Sequence, residues 1–343
     1  MKFAQTRRLA LIATVLAFVV ILLGAYTRLE DAGLGCPDWP GCYGHMTVPT
    51  SQENIDSNNS LYQERALEKP KAWAEMIHRY FAGSLGLVIG AMTIMAWMQR
   101  KKKRHPVKLA SWLLLLVIFQ AALGMWTVTM KLNPTIVMLH LLGGFTTFAL
   151  CFTMSIRLSK AHQPFRIKKV TVKELQPWAI GGLVVLGLQI MLGGWTSANY
   201  AATVCTGLGS LPVCQADWLA AFNLAEAYQF FGLEAHPDGH YEFGVLGQDA
   251  RITIHAMHRI GAYITLAYLL WFAWKLRKAS NRLLEDLGTL IAIILSVQVV
   301  LGFSNVLFGL PLPIAVAHNG VAALLLISLV AINFALWAHK RRG

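Results

Sequence analysis

The chain has 343 residues, of which 56% are hydrophobic and only 14% charged. A soluble domain carries about 25% charged residues, so a chain this apolar lacks the polar surface to stay in water, and the bilayer is its natural solvent. The formal net charge of +13 does not make it a nucleic-acid binder, because the basic residues fall in short clusters between long apolar runs.

A hydrocarbon core about 30 Å thick takes about 20 apolar residues per helix. In chain order, eight runs meet that need: 9–29, 73–98, 109–130, 135–158, 177–198, 252–274, 284–307 and 313–338. Arg7 and Arg8 precede the first run as they would in a signal peptide. That run is long and no small-x-small site closes it, so it reads as a retained span. Segment 30–72 is acidic on balance. Basic clusters follow at Gln99–Lys108, Ser159–Lys173 and Lys275–Arg282, whereas 199–250 carries no Lys or Arg. Lys2, Arg7 and Arg8 mark one terminus, and Lys340, Arg341 and Arg342 the other. The positive-inside rule then puts both termini and the three basic loops in the cytoplasm, with 30–72 and 199–250 outside.

The second half of the chain echoes the first. Glu75-Met76-Ile77-His78-Arg79 stands opposite His255-Ala256-Met257-His258-Arg259 at an offset of 180. Gln120-x-x-Leu123-Gly124 matches Gln298-x-x-Leu301-Gly302, and His140 matches His318, both at 178. Thr27 and Cys36 match Thr196 and Cys205 at 169. The expected architecture is an all-α membrane protein of eight transmembrane helices, arranged as two pseudo-symmetric four-helix bundles, 1–173 and 174–343. A repeat of this kind often places a site inside each half or between halves.

An ionisable side chain within a span is costly and usually functional. His78, His140, His258 and His318 lie five to seven residues inside the predicted outer ends of their spans. At 1.5 Å per residue that places all four about 8–10 Å below the outer surface. His78 is therefore set to face His140, and His258 to face His318. Two imidazoles facing each other in a bundle core suit haem iron, whose large ring fills apolar space. A bare metal asks for three or four protein ligands. The competing reading is that each histidine only bonds a neighbouring helix. Arg79 and Arg259, one residue on, are candidate partners for haem propionates, with snorkelling to the headgroups as the alternative. His45, His236 and His240 fall in outer loops and His105, His162 and His339 in cytoplasmic segments, where solvation is expected.

Cys36 and Cys42 share the first outer segment, and Cys205 and Cys214 the second. The bacterial periplasm favours disulfides, so the expected pairs are Cys36–Cys42 and Cys205–Cys214. A redox-active Cys36–Cys42 is a variant of that reading, and zinc the alternative, although no local histidine completes a usual spacing. Cys151, in mid-span, reads as a small core residue.

These residues resemble the haem A synthase family. The stretch from Gly24 through Arg28 and Gly33 to Cys36-Pro-Asp-Trp-Pro-Gly-Cys42 is similar to that family's first-helix and outer-loop signature, and Glu75-x-x-His78-Arg79 to its second-helix motif. The likeness runs on through His140, His258 and His318. It implies oxidation of the C8 methyl of haem O to the formyl group of haem A, for use by terminal oxidases. It also implies haem O as substrate between His78 and His140, haem b as cofactor between His258 and His318, and a haem O synthase as partner. The inner membrane is the expected location.

The repeat is unequal where chemistry would sit. Glu75, three residues before His78, shares its helix face, and its counterpart is His255. A carboxylate beside a haem edge accepts a proton or stabilises positive charge as a methyl is oxidised, which makes Glu75 the candidate catalytic residue. The alternative is that Glu75 favours the start of its helix through the dipole. A di-haem b-type cytochrome passing electrons explains the histidines equally well, but not the Glu75/His255 inequality or the cysteine pairs. A haem exporter is a third reading. No Gly-rich nucleotide motif follows a strand, so an electron-transfer protein is the expected redox partner. The sequence leaves the oligomeric state open.

Overall fold

A computed structural model describes residues 4–62, 65–101, 106–159, 167–215 and 217–340. His105, His162, Lys2, Arg341 and Arg342 lie outside the described residues. Among the described residues, ten α-helices run in the order α1 (Ala4–Leu29), α2 (Gln52–Leu61), α3 (Lys69–Met98), α4 (Val107–Thr129), α5 (Pro134–Leu158), α6 (Lys169–Ala198), α7 (Leu224–Ala227), α8 (Gln248–Arg277), α9 (Arg282–Leu307) and α10 (Leu312–Lys340). Among the described residues the sole strand-like feature is one bridge between Cys42 and His45.

Seven of these helices are long and apolar enough to cross a membrane; α8 is not among the seven. Asp249, Arg251 and Arg259 toward one end, and Lys275 and Arg277 at the other, interrupt its apolar run. Large side chains such as Leu11, Val15, Leu87, Ile94, Ile118, Ile293 and Val300 are exposed on the outside of the helical layer. In water that surface would drive association; facing acyl chains it costs nothing.

Helix boundaries follow local chemistry. Pro134 opens α5 at a position where its missing N–H is not needed, and the Asn133 side chain caps the helix by accepting from the Thr135 amide at 3.1 Å. Asn281 caps α9 in the same way through the Leu284 amide at 3.3 Å. α3 and α8 begin four residues before the expected spans, so His78 and His258 lie nine and ten residues inside their helices, about 14–15 Å along the axis at 1.5 Å per residue. Only His140 and His318, six residues in, keep the expected depth measured from the helix end.

In the first part of the chain α1 packs on α3 and α5, and α4 closes the circuit by packing on both. Later, α6 packs on α8 and α10, and α9 closes that circuit. The two circuits meet where α1 touches α10 and where α5 touches α6 and α10. Small residues let α1 sit close: Ala10, Ala13 and Ala17 are buried in a cluster with Ile89, Met92 and Phe148. Leu269, Phe272, Leu325 and Leu329 fill the second core.

The backbone repeats its turns as well. Asp31 and Tyr200, 169 residues apart, both have left-handed φ (49° and 53°) at the exits of α1 and α6. Leu132 and Leu310, 178 apart, share φ 65° in the turns after α4 and α9. The amides of Ala32 and Ala201 close matching bonds to Thr27 and Thr196, each at 2.9 Å.

Candidate functional site

Each circuit surrounds a cavity. The first, bounded by α1, α3, α4 and α5, encloses about 530 Å³ and is lined by His78, His140, Glu75 and Arg79 among others. The second, bounded by α6, α8, α9 and α10, encloses about 270 Å³ and is lined by His258, His318, His255 and Arg259. Ligand sites of small molecules and cofactors commonly fall at about 300–1,000 Å³.

In the first cavity the rings of His78 and His140 face each other with centroids 6.5 Å apart and planes at 85°. Two metal–nitrogen bonds of about 2 Å end to end, plus the reach from each nitrogen to its ring centre, span that gap. In the second, the Gln189 amide lies 3.1 Å from His258 Nδ1 and donates to the His258 carbonyl at 3.0 Å. Gln298 Nε2 lies 3.2 Å from His318 Nε2.

A glycine backs every one of these imidazoles. A Cβ on Gly24 would stand 2.9 Å from Cε1 of His78, on Gly124 3.3 Å from that of His140, on Gly193 3.1 Å from that of His258, and on Gly302 3.2 Å from that of His318. The neighbouring helix therefore comes close enough to fix each ring, and any side chain there would push it into the cavity. These glycines stand at the repeat offsets of 169 and 178. Their part as backstops was not visible in the sequence, although the repeat itself was the signal.

The donor set fits a porphyrin. Nδ1 of His78, His140 and His318 is buried without a hydrogen-bond partner, and leaving a buried polar atom unpaired costs about 1–3 kcal/mol. Among the described residues no group of three or more His, Cys, Asp or Glu converges as a bare metal would need. Two protein ligands on opposite sides of apolar space are what an iron already held by a macrocycle asks for.

Glu75 is 4% exposed. It pairs with Arg79 and accepts the Cys36 amide at 2.9 Å. It also sits six residues beyond the start of α3, whose N-cap is Glu68, so the helix-start role weighed from sequence does not apply. His255, in the corresponding place, uses Nδ1 toward the Ala201 carbonyl at 2.7 Å. Both groups reach for the backbone of a disulfide-bearing loop, and only one of them is a carboxylate.

The arginines hold those loops. Arg79 donates to the carbonyls of Asp38 at 3.0 Å and of Gly41. Arg259 donates to the carbonyls of Ser210 at 2.5 Å and of Cys205. Neither snorkels; each is turned inward under a disulfide loop. Cys36–Cys42 and Cys205–Cys214 are joined as disulfides, and Cys151 is free and buried. The phenol of Tyr43 is pushed up to about 12 by burial, so it stays a proton donor, bonding the Arg65 carbonyl at 3.0 Å and bracing the first loop.

The long second loop folds back over the first circuit. The Tyr241 amide bonds the Lys131 carbonyl at 3.0 Å, and Trp195 Nε1 bonds the Ala227 carbonyl at 2.7 Å. Arg65 of the first loop pairs with Glu242 of the second. His236 and His240 are not freely solvated: their rings lie 5.1 Å apart and His236 Nε2 sits 3.1 Å from the Glu242 carbonyl.

Comparison with known proteins places these features in a family. Residues 7–330 match the family model COX15-CtaA, described as cytochrome oxidase assembly protein. The chain is 49% identical over 342 residues to the heme A synthase of Shewanella oneidensis, covering 99% of this chain and 98% of that protein. It is 24% identical over 328 residues to the heme A synthase of Halalkalibacterium halodurans, covering 94% of each. The heme A synthase of Chelativorans sp. is 24% identical over 324 residues, 90% of this chain and 84% of that protein.

Proposed function

The chain belongs to the COX15-CtaA family of cytochrome oxidase assembly proteins, and from that premise we propose that it is a multi-pass membrane enzyme that oxidises haem O to haem A for terminal oxidases. The C8 methyl of haem O becomes a formyl group. The observation that carries this reading is the carboxylate of Glu75 at the wall of the cavity where His78 and His140 face each other.

The two circuits of helices are read as two related four-helix bundles, 1–173 and 174–343, with α8 as an eighth span whose charged end lies at the outer interface. Both termini face the cytoplasm of a bacterium, and the disulfide loops face outward from the inner membrane. His78 and His140 would hold haem O as substrate in the first cavity. His258 and His318 would hold haem b in the second, their rings steered by Gln189 and Gln298. Haem b held there supplies one-electron chemistry beside the substrate site. Arg79 and Arg259 stand above the cavities. A guanidinium has five donors, and Arg259 Nε has no partner of its own, which leaves capacity for haem propionates.

Glu75 is the group that takes the proton released as the methyl carbon is oxidised. Its tie to Arg79 and to the Cys36 amide fixes the carboxylate, and displacement of either partner frees an oxygen to accept. Water supplies the formyl oxygen, so that each methyl converted with one water releases four electrons and four protons, and the apolar walls limit the water at the reacting edge to what the step consumes. Electrons leave through a separate electron-transfer protein, and a haem O synthase supplies the substrate.

Expression with a haem O supply, followed by haem extraction and chromatography, tests the reading. Haem A in the extract is the expected result. Haem B alone would make the protein a di-haem cytochrome instead.

A further inference from the structure

The first cavity holds about twice the volume of the second, and the walls toward mid-membrane account for it. On α3, Gly83 and Gly86 line the first cavity. At the offset that pairs His78 with His258, α8 carries Tyr263 and Leu266, which line the second. On α1, Ala17 stands where α6 has Leu186, and on α5, Thr147 stands where α10 has Leu325. Leu85 against Thr265, Val137 against Ala315 and Leu141 against Asn319 run the other way, yet the first cavity remains the larger. The change is therefore spread over three helices.

The added space leads outward. Gly83 is exposed on the membrane side and Gly86 is half-buried. A Cβ built on either meets no atom within 4 Å. The wall here is open to the acyl region as well as to the cavity. In the second half Tyr263 stands at this position on α8 and lines the cavity, 39% exposed, with its hydroxyl bonded to the Pro212 carbonyl of the long loop at 2.8 Å. Both glycines lie on the cytoplasmic side of His78, about 8 and 12 Å along the helix axis. Gln120, 8% exposed and with its Nε2 unpartnered, belongs to the same cavity.

Haem O differs from haem b by a long isoprenoid chain on one edge of the ring. We propose that the passage beside Gly83 and Gly86 is the subsite for that chain, which runs from the substrate ring down α3 and out into the acyl layer, and that Tyr263 and Leu266 deny the same path in the second half. This rests on the reading of the first cavity as the haem O site. The subsite sorts the two haems by shape alone: the tailed ring fits only the half with the gap, and the untailed ring fits the closed half. Chain and wall are both apolar, so discrimination comes from exclusion and not from any polar contact.

The test uses the full chain in nanodiscs, titrated with haem O and with haem B and followed by absorbance. In Gly86→Leu, the new Cβ meets no atom within 4 Å, and the side chain beyond it occupies the passage. Haem O affinity for the first half is expected to fall about tenfold or more, with haem B affinity there nearly unchanged and the second-half haem b spectrum retained. An equal fall for both haems, or no fall for either, overturns the subsite and leaves the gap as space for lipid. If Gly86→Leu does not assemble, Tyr263→Gly combined with Leu266→Gly decides: the second half should then take up haem O, and continued exclusion of it would overturn the proposal. Wild-type protein that binds no haem O at all would instead overturn the substrate assignment beneath it.

Discussion

The two cavities each hold a matched pair of imidazoles backed by a matched pair of glycines, yet one encloses about 530 Å³ and the other about 270 Å³. One has a carboxylate in the turn before its first histidine, and the other an imidazole that bonds a loop carbonyl. The repeat has thus kept the facing imidazoles and the glycines behind them, and altered the cavity walls and the residue one turn before the first histidine. Ring clamps depend on close backbone approach, which any change of side chain spoils. Wall residues tolerate substitution, because a gap facing lipid is cheap to open or to fill.

The comparison breaks hardest at the ligands. His258→Ala should remove haem b from the purified protein altogether, whereas His78→Ala should keep the second-half haem b and lose haem A formation. Quantifying extracted haem from both variants checks this. A His258→Ala protein with an unchanged haem b spectrum would show that the halves have been assigned the wrong way round, or that the pair does not ligate.

Next comes Glu75→Gln. The amide keeps the shape and still accepts the Cys36 N–H, but it cannot take a proton. General acid–base groups contribute about 10²–10⁴ in rate, so haem A formation should drop by that order while both haems remain bound. Product yield at the wild-type level would leave the Glu75/His255 difference without a chemical meaning. His255→Glu, the converse change, should leave haem A formation close to normal, since the second half lacks the substrate.

A finer test addresses the glycine backstops. Gly24→Ala forces the closest approach, 2.9 Å to His78 Cε1, and Gly124→Ala the least, 3.3 Å to His140. Overpacking of this kind costs about 1–3 kcal/mol. Gly24→Ala should weaken first-half haem binding more than Gly124→Ala does, and Gly193→Ala should shift the absorbance of second-half haem b, where the contact is 3.1 Å. Equal, undetectable effects at all of these positions would mean that the rings are positioned by something else.

Much of this was legible beforehand because the signals are linear. An apolar run of bilayer length announces a span, and Glu75-x-x-His78-Arg79 against His255-x-x-His258-Arg259 announces both the repeat and its inequality. The starts of α3 and α8 were set four residues late and that of α6 eight, because Lys69, Lys71, Asp249, Arg251 and Lys173 look like loop residues, yet the helices run through them. The loop carbonyls that Arg79 and Arg259 bond were out of reach, since sequence does not distinguish one backbone carbonyl from another. The narrowing of the second cavity was written in Tyr263 and Leu266, but it had no meaning until the structure put them on a cavity wall.

The smallest expected effect concerns the tie between the two halves. Arg65 and Glu242 join the outer loops, with side chains 30% and 6% exposed. Exposed pairs contribute about 0.2–1 kcal/mol, and the partial burial of Glu242 puts this one near the top of that range. Glu242→Gln should lower the temperature at which the haem b absorbance is lost by only a small margin. Arg65→Ala should cost more, because it leaves the Glu242 carboxylate buried without its partner, and the double variant should recover part of that loss. Haem A formation should persist in all of them if the loops act only as lids. A loss of product with haem content intact would instead mean that the halves must be held in register for electrons to pass between the cavities, and the comparison between them would then concern one coupled site.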